Sequence, residues 1–130
     1  MNLEQFIIRK ATIADAETLS TLGALAFTQA FAAQNTPENL AIYLSGAFSP
    51  EKQAGELALP GCTYFIVELH NKQEGYARLQ GGSTKPCISG LNPVELVRFY
   101  VLDAWKGQGV AHRLMKACLE EAKAVGYDVI

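Results

Sequence analysis

Two glycines separated by one residue, Gly107 and Gly109, stand directly before a segment with helical periodicity. A helix that begins after such a turn has unpaired backbone N–H groups in its first turn, and the helix dipole adds partial positive charge there. Phosphate is a natural ligand for this arrangement. Residues 106–112 are therefore a candidate phosphate-binding turn. A tight turn without a ligand remains the alternative, because Gly-x-Gly alone is a weak signal.

Two common phosphate-binding loops do not match this turn. A Walker loop requires Gly, four residues and then Gly-Lys-Ser/Thr, and the chain contains no such string. A dinucleotide fingerprint requires a third glycine three residues after Gly109, where His112 stands. Both nucleotide-binding motifs are excluded.

The elements beside the turn are a strand and a helix. Residues 95–103 are rich in branched and aromatic side chains, which predicts a buried strand. After the turn, apolar residues recur at helical spacing and Gly126 suits the end of the helix. The predicted buried face of this helix consists of Val110, Leu114, Cys118, Ala122 and Val125. Cys118 is accordingly interpreted as a core residue.

The remainder of the chain predicts one strand, three helices and then two strands. Residues 6–8 suit an opening strand, and Thr12 with Asp15 resembles a capping box. Thr36-Pro37 and Ser49-Pro50 each place a cap before a proline, which predicts two further helix starts. Residues 63–69 and 75–79 read as paired strands joined by a polar turn over 70–74. Residues 81–93, rich in glycine and proline, are expected to form a mobile loop. The first helix is expected to bury Ile13, Ala16, Leu19, Leu22 or Gly23, Ala26 and Ala30.

Composition limits the classes of function. A chain of 130 residues forms a single domain, over residues 1–130. The formal net charge of −2 argues against nucleic acid as a partner. Three cysteines without a Cys-x-x-Cys pair predict reduced thiols in a cytoplasmic protein and no metal site. No apolar run approaches the ~20 residues of a membrane span, so no membrane partner is expected.

The segment Lys106-Gly107-Gln108-Gly109-Val110-Ala111 resembles a family signature. It is similar to the pyrophosphate-binding motif of the GNAT N-acetyltransferases, Gln/Arg-x-x-Gly-x-Gly/Ala. Lys106 matches the first position by charge, and Gly109 and Ala111 match the other two. The strand over 95–103 resembles that family's fourth strand, and residues 7–15 and 75–77 extend the likeness.

This resemblance implies an α/β fold with a mixed, mostly antiparallel sheet flanked by helices. It also implies acetyl-CoA as co-substrate and a primary amine, on a small molecule or a peptide, as acceptor. The pyrophosphate would be bound by the turn, and the pantetheine arm would be bound along the fourth strand. The residues implied in cofactor binding are Phe99, Tyr100, Val101, Lys106, Gly107, Gln108, Gly109, Val110, Ala111 and His112.

Glu95 is the candidate general base. Counted back from the signature, it falls where the histone-acetylating branch of the family places its catalytic glutamate. An alkylamine with a pKa of ~10.4 is almost wholly protonated at neutral pH, so the enzyme must remove a proton. A solvent-facing carboxylate at the start of a strand remains the alternative for Glu95. Arg98 is interpreted either as a sheet-face residue near the acceptor or as a solvated arginine.

Residues 27–59 resemble the acceptor region of bacterial polyamine acetyltransferases, which favours a polyamine-like amine. Relative to the family, the chain ends within the fifth strand, so the expected fold lacks the last helix and strands and the usual tyrosine acid. An exposed sheet edge at that point predicts either that the sequence is a fragment of a longer protein or that the chain forms a homodimer. The alternative function is a CoA-binding module without catalysis of its own.

Overall fold

The computed structural model describes residues 6–81 and 93–127 and contains a four-stranded sheet. The strands lie in the order β1-β2-β3-β4, and all three pairings are antiparallel. The bounds are Ile7–Lys10 for β1, Cys62–Leu69 for β2, Lys72–Gly81 for β3 and Val94–Val101 for β4. Within the described ranges, β1 and β4 are therefore the two outer strands.

The described residues also form four α-helices. They are α1 at Ala16–Phe31, α2 at Pro37–Ala47, α3 at Pro50–Leu57 and α4 at Val110–Val125. The two cap-then-proline patterns form as predicted: the hydroxyl of Thr36 accepts from the N–H of Asn39, and that of Ser49 accepts from Lys52, each at 3.1 Å. The expected α/β architecture is confirmed.

The two faces of the sheet bury different layers. One face packs against α4 through a buried apolar cluster that includes Phe65, Val67 and Leu79 with Leu114 and Cys118. The other face packs against α1, and its cluster combines Leu19, Leu22 and Ile66 with the tyrosines 64 and 76. Burial raises the pKa of the Cys118 thiol to about 11, which agrees with its interpretation as a core residue.

Gly23 allows α1 to lie close to the sheet. A Cβ at this position would stand 2.5 Å from the ring of Phe48 and 3.2 Å from the hydroxyl of Tyr76. The glycine is unfavourable for an isolated helix, but here it admits an aromatic ring against the helix backbone. Of the predicted α1 stripe, Leu19, Leu22, Gly23 and Ala26 are buried, whereas Ile13 is exposed.

The turn between β2 and β3 is shorter than the predicted five-residue segment. Leu69 pairs with Lys72, so only His70 and Asn71 connect the strands, and both have positive φ. Two consecutive left-handed residues match the twist of a tight hairpin, and asparagine tolerates that conformation well. Polar composition alone extended the predicted turn, because the polar residues 72–74 belong to β3, where Lys72 is exposed and Glu74 is buried.

A β-bulge interrupts β4. Arg78 pairs with Arg98 and Leu79 pairs with Leu96, so Val97 has no opposite residue on β3. Directly opposed residues point to the same face, and the extra residue therefore changes the alternation of β4. Glu95, Arg98 and Tyr100 share the face of α1, while Phe99 and Val101 share the face of α4.

Two sequence expectations lie outside the described residues. They are the loop predicted over 81–93, of which residues 82–92 are not described, and the fifth strand predicted from Tyr127, of which residues 128–130 are not described. In the described part of the chain, no helix is long and apolar enough to cross a membrane.

Candidate cofactor and acceptor site

The glycine turn has the backbone that the sequence predicted. Gly107 and Gly109 have φ of 79° and 84°, in the left-handed region that favours glycine. Gly109 is the N-cap of α4, and its carbonyl accepts the first helical hydrogen bond, from the N–H of Arg113 at 3.2 Å. Among the described residues no side chain caps this helix start, which leaves the N–H groups of its first turn available to an anion.

The side chains of the turn are mostly solvent-exposed. Lys106 forms an exposed ion pair with Asp103, 2.9 Å from Nζ to Oδ1, and the Gln108 amide donates to the carbonyl of Ala104 at 3.4 Å. His112 is exposed on the first turn of α4, and Val110 is buried against the sheet. The turn therefore offers backbone N–H groups and the ammonium group of Lys106, which suit an anion such as pyrophosphate.

A cavity of about 210 Å³ joins the turn to β4. Its wall brings together three elements that are distant in sequence, namely the second half of α1, the end of β4 and the start of α4. The residues lining it are Ala26, Gln29, Ala30, Phe99, Tyr100, Val101, Lys106 and Ala111. Five of the ten candidate cofactor residues thus border one concave surface.

The cavity runs beside the outer strand of the described sheet. Because β4 pairs with β3 on one side only within these residues, alternate backbone groups at Phe99, Tyr100 and Val101 face away from the sheet. Gly75 allows β3 to approach β4 closely here, since a Cβ at Gly75 would lie 2.8 Å from the carbonyl oxygen of Tyr100. An amide-bearing chain such as pantetheine fits such an edge. The cavity and the turn together therefore fit acetyl-CoA.

Glu95 lies near the beginning of β4 and is half-buried. It pairs with Gln80 of β3, and the bulge places it on the face that carries Arg98 and Tyr100. The structure therefore puts the candidate base on the same side of the sheet as α1 and α3.

The face of α1 also carries a buried network of polar side chains, which the sequence did not predict. The carboxylate of Glu56 on α3 contacts two arginines, Arg78 of β3 and Arg98 of β4. The Arg98 guanidinium lies 3.3 Å from Glu56 Oε2, and it also donates to the hydroxyl of Tyr64 at 3.0 Å. Arg98 is therefore neither solvated nor isolated. Arg98 and Tyr64 are linked onward, because Tyr64 donates to Gln53 at 3.2 Å.

Burial and charge act in opposite directions within this network. Burial works to lower the pKa of Arg98, but Tyr64 and Glu56 favour the charged form more strongly, and the net direction is upward. Burial raises the pKa of the Tyr64 hydroxyl to about 12. Both groups therefore keep their protons throughout the physiological range, and the network is a fixed arrangement of charges and donors.

Aromatic rings extend this face toward α2. Phe27 of α1 stacks on Tyr43 of α2 with ring centroids 4.6 Å apart, and it also contacts Phe31 and Phe48. The guanidinium of Arg98 lies 5.2 Å from the centroid of the Phe48 ring. These ring contacts connect α1 with α2 and with Phe48, the residue that follows α2.

Sequence reasoning missed Glu56 and Gln53, which are almost fully buried on α3. In a short helix with a strongly polar sequence, a charged residue reads as solvent-facing. The signal that could have identified Glu56 is the presence of two arginines in predicted strands, Arg78 in the strand over 75–79 and Arg98 in the strand predicted to be buried. Such arginines require a carboxylate partner. By contrast Val125, predicted on the buried face of α4, is exposed because it belongs to the last turn of the helix.

Comparison with known proteins gives one family. The family model described as "Acetyltransferase (GNAT) family" matches residues 27–130. A curated relative, an uncharacterized N-acetyltransferase in the pepI 3' region of Lactobacillus delbrueckii subsp. lactis, is 24% identical over 104 residues. The match covers 80% of this chain but 60% of that relative, so the chain spans less than two thirds of the relative's length.

Solved structures share the fold. The PaiA N-acetyltransferase of Thermoplasma acidophilum, in complex with coenzyme A, superposes with a TM-score of 0.79 at 19% identity, over 94% of this chain and 74% of that one. An aminoglycoside acetyltransferase from an uncultured soil metagenomic sample, in complex with sisomicin, gives a TM-score of 0.75 at 17% identity, over 97% and 75% of the two chains.

Proposed function

Since the chain belongs to the GNAT family of acetyltransferases, we propose that it transfers an acetyl group from acetyl-CoA to a primary amine. The observation that carries the proposal is the continuous surface formed by the glycine turn and the cavity beside β4. Acetyl-CoA, when bound, supplies the activated acetyl thioester. The residues of the chain bind it, orient the amine against it and accept the proton of the amine.

In this proposal the turn binds the pyrophosphate through backbone N–H groups of residues 107–112. Positive φ at Gly107 and Gly109 turns the chain so that these groups converge before α4. Lys106 contributes positive charge at the same end, and the exposed His112 lies on the first helical turn. The pantetheine arm lies along Phe99, Tyr100 and Val101, which line the cavity.

Glu95 accepts a proton from the acceptor amine in this mechanism. Its position on the α1 face, one residue before Leu96 and the bulge, separates it from the apolar layer under α4. Carboxylates in general are weak bases for an ammonium group, so a hydrogen-bonded water relay is part of the proposal. Holding the amine beside the thioester contributes more to the rate than the base does.

The acceptor class is proposed at the level of a primary amine on a small molecule or a peptide. A polyamine is the more specific expectation, from the resemblance of residues 27–59. The sisomicin complex of a structural neighbour supports aminoglycosides as a second class of small amine to test. A homodimer and a cytoplasmic location remain predictions, which light scattering and fractionation can test.

The decisive experiment for the cofactor site is calorimetric titration of CoA into Gly109→Glu. The carboxylate would occupy the pyrophosphate position, and we expect a loss of affinity of about 100-fold or more. Gly126→Glu is the matched control, because Gly126 also has positive φ and caps the other end of α4. Wild-type affinity in a folded Gly109→Glu protein would contradict the site.

The test of catalysis is thiol release from acetyl-CoA with spermidine, sisomicin and a short peptide as acceptors. Glu95→Gln keeps the shape of the side chain and removes the base, so we expect kcat at neutral pH to fall by about 10²–10⁴. CoA affinity should stay the same. Glu120→Gln, an exposed carboxylate change on α4, is the control. CoA binding without thiol release for any amine would instead indicate a binding module.

A further inference from the structure

Arg98 connects β4 to the helices that cover the α1 face. Its guanidinium contacts Glu56 of α3 at 3.3 Å, donates to Tyr64 at 3.0 Å and lies over the ring of Phe48. Through Tyr64 the connection continues to Gln53, whose amide donates to the carbonyl of Ala47 at 3.0 Å. One side chain of β4 is thus linked to α3 and to the end of α2.

Arg98 is also the first residue after the bulge of β4. It pairs with Arg78, while the preceding Val97 has no opposite residue. A bulge that moves along a strand changes the face on which every intervening side chain lies. If the extra residue were accommodated elsewhere, Glu95 and Arg98 would no longer share a face. A contact that holds Arg98 against the helices therefore specifies the position of the bulge.

We propose that Arg98, held by Glu56, Tyr64 and Phe48, is a positioning residue. It fixes the bulge of β4 and so keeps Glu95 and Tyr100 on the α1 face of the sheet, where the acceptor amine would bind. The inference refines the proposed function and rests on it for the role of Glu95. Arg98 itself acts through the strand, since its own guanidinium is occupied by these partners.

Arg78 provides a matched comparison. It contacts the same carboxylate of Glu56 and is similarly buried, with 11% of its side chain exposed against 17% for Arg98. It belongs to β3, however, on the strand opposite the bulge. Arg98→Met and Arg78→Met each leave one arginine paired with Glu56, so the charge that remains buried is balanced in both variants. Only Arg98→Met removes the contact between β4 and Glu56 of α3.

Hydrogen–deuterium exchange tests the proposal without any acceptor. We expect Arg98→Met to raise exchange of the amides of residues 95–101 by about tenfold, and Arg78→Met to leave them within about threefold of wild type. Arg98→Lys keeps the positive charge but loses the planar guanidinium group with its several donors, so it should give an intermediate exchange rate. It also serves as the second variant if Arg98→Met does not fold. Equal exchange in Arg98→Met and wild type, or an equal rise in both methionine variants, would overturn the proposal.

The enzymatic comparison uses the panel amine that the wild type acetylates fastest. Arg98→Met should raise KM for that amine and lower kcat by about tenfold or more, while CoA affinity by calorimetry stays within about threefold. Arg78→Met should change neither kinetic constant beyond about threefold. If the wild type acetylates no amine, the proposed function fails, whereas the exchange experiment still decides whether Arg98 fixes the bulge.

Discussion

The two faces of the sheet are stabilised by different forces. Under α4 the buried cluster is apolar, with Leu114 and Cys118 fully buried against Phe65 and Val67, and the ion pair between Lys10 and Glu121 of α4 has its lysine exposed. Under α1 and α3 the layer contains Glu56 with two arginines, and the hydroxyl of Tyr64 accepts from one of them, Arg98. Packing on the first face is stabilised by buried apolar area and complementary shape. Packing on the second face is stabilised by ion pairs and hydrogen bonds between matched groups. The candidate base lies on the second.

This difference has a physical consequence for the site. An apolar layer tolerates small shifts, because its contacts are numerous and individually weak. A buried ion network has few favourable geometries, so it specifies where β3, β4 and α3 lie relative to one another. The position of Glu95 and the bulge of β4 therefore depend on the α1 face, where burying the charged groups costs desolvation free energy.

The largest expected effect comes from Glu56→Gln. It leaves Arg78 and Arg98 buried without their shared carboxylate, which should destabilise the protein by about 3–5 kcal/mol in urea unfolding at neutral pH. Leu114→Ala, on the apolar face, should cost a comparable amount, about 3 kcal/mol. The two should differ in the site, since only Glu56→Gln should also weaken acceptor binding. A loss below about 1 kcal/mol for Glu56→Gln would show that the polar network is not a structural requirement.

A smaller effect distinguishes two tyrosines of the polar face. The hydroxyl of Tyr64 accepts from Arg98 and donates to Gln53, whereas that of Tyr76 is buried with no hydrogen-bond partner among the described residues. Tyr64→Phe should destabilise by about 1–2 kcal/mol in urea unfolding. Tyr76→Phe should be neutral or stabilising, because it removes a polar atom that gains nothing from burial. Equal losses in the two variants would contradict the hydrogen-bond assignment.

The smallest expected effect on stability concerns Arg9, on the outer strand β1. Its guanidinium contacts Asp15 at 2.8 Å and Glu68 at 2.7 Å. Hydrogen bonds from Arg9 lower the pKa of both carboxyls. Their contribution to stability is therefore present above the pKa of the unfolded chain, near 4, and is lost as pH falls through the folded values.

Arg9→Met should reduce this acid dependence. Because Arg9 is about one-third exposed, the cost at pH 7 should stay below about 1 kcal/mol. Urea unfolding at pH 7, 5 and 3 measures the change, and the difference between Arg9→Met and wild type should shrink as pH falls. A constant difference at all three values would assign the effect to packing.

Sequence by itself determined the glycine turn and the helix after it. Gly107 and Gly109 predict the turn directly, because glycine lacks a side chain and adopts positive φ readily. The apolar stripe through Val110, Leu114, Cys118 and Ala122 is likewise local, since helical spacing alone places these residues on one side. The two cap-then-proline helix starts were predicted for the same reason. Each of these features depends on residues within a few positions of one another.

Tertiary structure alone decided which side chains share a face with Glu95. Strict alternation along β4 would place Glu95 with Phe99 and Val101, and the bulge at Val97 places it with Arg98 and Tyr100. Nothing within β4 indicates the bulge, because it depends on Glu56, 42 positions before Arg98, and on the register with β3. The buried charge network and the cavity beside β4 arise from contacts between distant segments. A periodic pattern describes one element at a time, so it could not predict them.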